Sequence, residues 1–209
     1  MIVTPSGLSH KDLYGLLLNA VAPRPIAWVS TMSGSGRLNL APFSFFNVVC
    51  VDPPLLAFAP GLRPPRNAGP NGEAKDTLRN IRETKEFVVN VVTYELTEAM
   101  NITSGEYDAS VNEFELAKLT PRPSQIVLPP RVGESPVSFE CRLHQILDFS
   151  PKPTSSSLVI GEIVCIHMSD AHMKDGKLDR NSVDLIGRMG GIQYTRTTQR
   201  FELARPKTG

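Results

Sequence analysis

The stretch from Ala22 to Asn47 restricts the fold more than any other part of this chain. It reads APRPIAWVST, then a Ser-Gly-Ser-Gly turn at 33–36, then NLAPFSFFN from Asn39. Pro23 and Pro25 force an extended entry, because the residue before a proline is pushed out of the α region. Ile26 to Val29 is then a short apolar run of the kind a buried strand carries, ending on two adjacent hydroxyls, Ser30 and Thr31. In the returning segment small and polar residues interrupt aromatic ones, and Pro42 cannot donate to a ladder, so no regular central strand is expected there. An apolar hairpin edged with hydroxyls and amides suits a flat, mostly apolar ring with polar groups along one side.

The rest of the chain reads as short strands with helices between and around them. Ser9 can cap a first helix, with Asp12 three residues on, and Leu13, Leu16, Leu17 and Ala20 fall on one face that would pack on the sheet. Strands are expected at Val48 to Val51, Leu55 to Ala59 and Glu86 to Tyr94, the last dense enough in β-formers to be buried on both faces. Pro60 to Gly72 is read as a long surface loop that leads into a helix at Leu78 to Thr84, with Asp76 as its cap. Helical segments are expected at Leu96 to Thr103 and Val111 to Lys118. Val137 to Leu143 alternates as a half-exposed strand, Leu158 to Met168 is another, and a glycine bend at Arg188 to Gly191 precedes a last strand at Ile192 to Thr195. Six or so strands with loops between them favour a closed antiparallel barrel over a doubly wound sheet. With 209 residues and 41% apolar composition, one domain spanning 1–209 is expected.

Composition excludes several functions. Lys and Arg number 22 against 21 for Asp and Glu, so there is no general field for nucleic acid or an anionic membrane, and an anion must be held locally. Cys50, Cys141 and Cys165 are odd in number, lie in apolar runs and lack CxxC spacing, which predicts buried free thiols instead of disulfides or zinc. His167 and His172 are five apart across a strand end and poorly placed for one metal. The first residues show no signal-peptide pattern and no apolar run approaches the ~20 residues of a membrane span, so a cytoplasmic location with no membrane partner is expected. Gly34-Ser35-Gly36 fails the dinucleotide fingerprint, because Asn39 stands where a third glycine belongs, and no phosphate-binding P-loop motif occurs.

Ser30, Thr31, Asn39 and Ser44 suit either of two roles, satisfying backbone groups at strand ends or touching a ligand. Trp28 reads first as core. Lys75 and Thr77 are either solvated residues at a helix start or, with the free helical N–H groups, a phosphate site that Arg24 could assist. Arg188 and Tyr194 flank the glycine bend, with a ligand role and a plain loop role both open.

Taken together, APRPIAWVST, NLAPFSFFN, Asp52-Pro53-Pro54, Lys75-Asp76-Thr77-Leu78-Arg79-Asn80-Ile81 and Gly187-Arg188-Met189-Gly190-Gly191 with Tyr194 resemble the flavin reductase-like family of FMN-binding split barrels. The resemblance implies a mainly β, Greek-key-like antiparallel barrel with flanking helices, and a homodimer with FMN near its interface. It implies that Ser30, Thr31, Asn39, Leu40, Ala41 and Ser44 line the flavin and that Lys75 and Thr77 meet its phosphate. Arg24, Trp28, Arg188 and Tyr194 are added as candidate contacts, and Trp28, Phe45 and Phe46 as cover for one ring face. The activity implied is reduction of flavin by NADH or NADPH, with electrons passed to free flavin, a partner oxygenase or another acceptor. A non-enzymatic FMN electron carrier is the alternative, and an apolar-ligand barrel without flavin is disfavoured by the intact polar set. Hydride transfer needs stacked rings and no protein general base, so the absence of a triad fits both enzyme and carrier. For the dimer, Val48 to Val51 and Val88 to Val92 offer apolar strand surface beyond what a small barrel needs.

Overall fold

In the computed structural model, which describes residues 2–64 and 71–207, the apolar run of the opening stretch becomes β1 (Ala27–Met32). It pairs antiparallel with β2 (Leu38–Phe43) on one side and β5 (Glu86–Asn90) on the other. With β3 (Phe46–Val51), β4 (Pro54–Phe58), β8 (Val137–Asp148) and β9 (Ser157–Met168) these form one seven-stranded sheet in the order β2-β1-β5-β8-β9-β4-β3. Two-residue ladders join β6 (Pro121–Arg122) to β7 (Arg131–Val132) and β10 (Met173–Lys174) to β11 (Lys177–Leu178). A small hairpin pairs β12 (Ile186–Arg188) with β13 (Tyr194–Arg196).

The sheet order dictates its shape. β2 and β3 lie at opposite edges of the sheet, yet only Ser44 and Phe45 separate them in the chain. The three steps from Phe43 to Phe46 reach only about 10–11 Å, so the sheet must curl until its edges nearly meet. No ladder among the described residues joins β2 to β3, which makes the barrel split along that seam. The chain also skips from β4 across β9 and β8 to reach β5, a Greek-key-like crossing. Pro42 is accommodated in a regular strand because β2 is an edge, where no outer neighbour needs its missing N–H.

Alternation along β1 builds two cores. Ala27 and Val29 point into the barrel with Phe43, Leu56, Phe58, Phe87, Val89 and Val159, closed at one end by Leu78 and Ile81 of α2 (Asp76–Thr84). Ile26 and Trp28 face the other way and join Leu40, Val92, Met100, Phe114 and Ile186 beneath α3 (Thr97–Ile102) and α4 (Glu113–Leu116). Both faces of β1 are therefore covered, which is why its sequence is apolar without interruption until Ser30. Gly161 of β9 is required by packing, since a Cβ there would sit 2.3 Å from Phe87 Cζ.

Several expectations need correction. The helix α1 (His10–Ala20) forms with Ser9 Oγ accepting from Asp12 N at 3.1 Å, but none of its residues is buried. Its apolar residues wrap too much of the circumference for one stripe to hide them, and Leu16 and Leu17 stay exposed. Asp76 is the first residue of α2 and not its cap; the N-cap is Lys75, whose side chain caps nothing. β5 stops at Asn90, whose side chain turns to Trp28 O, Val132 N and Ser138 Oγ. Val88, Val89 and Val92 are buried, so of the two apolar segments only β3 presents its valines to solvent, at 54% for Val48, 56% for Val49 and 85% for Val51. The last strand begins at Tyr194, later than expected, and pairs with an unforeseen partner, β12. Cys141 is a buried free thiol, whereas Cys50 and Cys165 are free but half-buried. Of the loop Pro60 to Gly72, Gly61 and Leu62 bond to the 155–156 segment, Arg63 pairs with Glu73, and residues 65–70 lie outside the described residues. Among the described residues no helix is long and apolar enough to cross a membrane.

Candidate functional site

The split seam and the start of α2 meet around Pro42 and Phe43. A cleft there is lined by Asn39, Ala41, Arg63, Lys75, Thr77 and Glu113, with Ser104 and Tyr107 from the segment after α3. Two further clefts share the Pro42–Phe43 wall. One holds Arg24, Ser44, Asn101, Arg188 and Tyr194; the other holds Tyr14, Ser44, Phe45, Lys75 and Ser155.

The polar floor of the first cavity is a bonded set. Asn39 Nδ2 donates to Thr77 Oγ1 at 2.9 Å and to Thr31 Oγ1 at 3.3 Å, and Asn80 Nδ2 from α2 donates to Thr31 Oγ1 at 3.1 Å. As acceptors, the Thr31 and Thr77 hydroxyls keep their own protons to give. Above this floor α2 begins with no side-chain cap, so its first N–H groups are open, and none of the ion pairs among the described residues engages Lys75. Asp76, in contrast, is neutralised by Arg63 at 3.7 Å and by Arg79. Uncapped helical donors, a spare hydroxyl proton and an ammonium with no ion pair among the described residues are the groups by which a helix start can hold an anion.

Glu113 faces the same cavity while buried, and its Oε2 accepts from the backbone N–H of Leu40 at 3.1 Å. Burial raises its pKa; the backbone N–H groups of Glu113 itself and Leu40 offset part of this, and nearby Asp76 adds to it. Tyr107 is anchored by donating to Ile102 O at 2.7 Å.

The structure therefore divides the predicted residues. Asn39, Ala41, Lys75 and Thr77 line the first cavity, and Ser44, Arg188 and Tyr194 line the adjoining cleft, where the Arg188 guanidinium lies 4.5 Å over the Tyr194 ring. Ser30 and Thr31 are fully buried below the floor and line none of the clefts. Leu40 and Trp28 belong to the outer core, with Trp28 Nε1 donating to Thr103 Oγ1 at 2.9 Å; Trp28 covers no cavity face. Phe46 packs against the inner core and Phe45 is 43% exposed, so of the three aromatics proposed as ring cover only Phe45 stands at a cleft. Arg24 is a clamp: its guanidinium donates to Leu18 O at 2.7 Å, to Val21 O and to Met189 O at 2.8 Å, tying the end of α1 to the glycine bend. Burial and the neighbouring Arg188 lower its pKa. Arg63, Ser104, Tyr107 and Glu113 were missed, because they reach the cavity from three separate segments and no local spacing marks them.

Comparison with known proteins bears on the family and the fold. The family described as Flavin reductase like domain matches residues 20–182. An uncharacterized protein of Halalkalibacterium halodurans is 37% identical over 208 residues, covering 99% of this chain and 97% of that one. Nitrilotriacetate monooxygenase component B from Bacillus cereus superposes with a TM-score of 0.89 at 33% identity, covering 97% of this chain and 98% of the other. The 2-nitrobenzoate 2-nitroreductase NbaA of Pseudomonas fluorescens gives 0.86 at 33% identity, with 99% and 96% covered.

Proposed function

The chain belongs to the flavin reductase-like family, and from that premise we propose that it is a single-domain, FMN-binding NADH- or NADPH-dependent oxidoreductase of the cytoplasm. Bound FMN would supply a ring that accepts hydride and passes the electrons to free flavin, a partner oxygenase or another acceptor. The observation that carries this reading is the open start of α2, with Thr77 and a Lys75 that has no ion pair among the described residues lining one cleft. In this reading Lys75, Thr77 and the first N–H groups of α2 hold the phosphate. Asn39 and Ala41 would lie along the ribityl chain and ring edge, and Pro42 to Ser44 would support one ring face. Thr31 and Asn80 then act from below, Thr31 through its bonds with Asn39 and Asn80, while Ser30 Oγ is buried with no hydrogen-bond partner among the described residues.

The cleft with Ser44, Arg188 and Tyr194 would leave the other ring face open to a nicotinamide. The B. cereus monooxygenase component supports a partner oxygenase as acceptor, and the nitroreductase supports a reduction as the reaction class. The exposed valines of β3 and the exposed apolar side of α1 support a homodimer, since uncovered apolar strand surface marks a contact. The decisive experiment is anaerobic addition of NADH or NADPH to the FMN-loaded protein. Direct bleaching of the flavin absorbance, with no second protein, is expected. Flavin that stays oxidised under excess of both donors but bleaches with a reduced partner protein would replace the enzyme with an electron carrier.

A further inference from the structure

Away from the flavin cavity, β8 and β9 bring three unlike ligand types together. Glu140 of β8 is the register partner of Cys165 on β9, and His167, two residues on, projects from the same face as Cys165. The ligand atoms of Glu140, Cys165 and His167 all lie within 4.8 Å of one another. His167 Nε2 sits 3.5 Å from Cys165 Sγ and also bonds Glu140 Oε1, so one ring nitrogen faces both partners. It can carry one proton, whereas a cation between the three atoms would meet all of them at once.

The carboxylate is already aimed. Glu140 is fully buried, with Oε1 accepting from Gln125 N at 2.6 Å and Oε2 from Ile126 N at 2.6 Å and Val127 N at 3.0 Å. Such outer hydrogen bonds orient a metal-binding carboxylate before the ion arrives. Cys165 and His167 are only half-buried, which leaves an entry path. None of the three residues lines any of the three clefts around Pro42 and Phe43.

We propose that Glu140, Cys165 and His167 form a three-ligand site for a divalent cation of the zinc type, with water in the fourth position. The ligand set, one thiolate, one imidazole and one carboxylate, selects a borderline-soft, four-coordinate ion over magnesium or calcium. Loading releases the thiol proton to solvent and takes His167 as the neutral Nδ1–H tautomer, whose Nε2 lone pair meets the metal, and leaves the three backbone bonds to Glu140 intact. The ion would tie β9 to the 125–127 segment through Glu140.

Cobalt(II) is the probe. Titrated into the flavin-loaded protein, it should bind one equivalent at micromolar concentration and give the intense red-end visible bands of four-coordinate cobalt, beyond flavin absorption. Zinc(II) should displace it. Cys165→Ser and His167→Gln should each weaken binding at least tenfold while Cys50→Ser leaves it unchanged. In the unaltered protein, zinc(II) should also slow alkylation of Cys165, mapped by peptide mass, without slowing Cys50, a readout that holds even where a variant folds poorly. Weak six-coordinate cobalt spectra, or alkylation of Cys165 at the same rate with and without zinc(II), would overturn the proposal and leave an ion pair that fastens the 125–127 segment.

Discussion

Replacing Lys75 with alanine separates a phosphate ligand from a structural residue. The side chain has no ion pair among the described residues and caps nothing, so the fold loses little when it is removed. A charge-assisted hydrogen bond contributes roughly 1.5–3 kcal/mol. At about 1.4 kcal/mol per decade, Lys75→Ala should therefore weaken FMN binding about tenfold to a hundredfold. Riboflavin lacks the phosphate, so its affinity should hardly change, and the melting temperature of the flavin-free protein should stay within a degree or two. Thr77→Val makes the contrast. It takes the acceptor from Asn39 Nδ2 in a buried set, so it should lower stability by about 1–3 kcal/mol as well as FMN affinity. Fluorescence titration of the flavin-free protein with FMN and with riboflavin, alongside thermal melts, measures all four quantities. Equal losses of FMN and riboflavin affinity in Lys75→Ala, or a melting shift as large as that of Thr77→Val, would refute the phosphate role.

Gly161→Ala pushes a methyl into the Phe87 ring and should cost about 1–3 kcal/mol in urea unfolding; an unchanged midpoint would mean that the β9 contact is not tight. Because burial raises the Glu113 pKa, its folded form favours the proton. Its contribution is complete below the ordinary carboxylate pKa of about 4.3 and is lost as pH rises from there through the folded value. Glu113→Gln keeps an acceptor for Leu40 N and should flatten that part of the profile of melting temperature against pH, and parallel profiles would count against it. Val49→Asp on the exposed face of β3 should shift sedimentation at micromolar concentration from dimer to monomer without lowering the melting temperature of the isolated subunit; a wild-type monomer would remove the premise.

Local chemistry alone was enough to place β1, the strand at Val137, the Ser9 cap and the helix after Lys75, because each depends on periodicity, a cap or a proline within a few residues. The motif order likewise identified the family before any contact was known. Which residues share a surface was settled by closure of the sheet. Joining β2 to β3 through two residues curls the seven strands, and that curvature brings Arg63, Tyr107 and Glu113 to the cavity that holds Asn39 and Lys75. The same closure pushes Ser30 and Thr31 under the floor, though the family resemblance implies that they line the flavin, and seals Trp28 against Thr103 in the core that its residue type first suggests. Glu140 and Cys165 are register partners only once β8 and β9 pair, which is why spacing could weigh only His172 beside His167, found the two poorly placed for one metal, and missed the two residues that stand beside His167. Periodicity reports which side of an element is apolar. It carries no information on which distant element will cover that side, and the functional surfaces of this protein are made of such distant pairings.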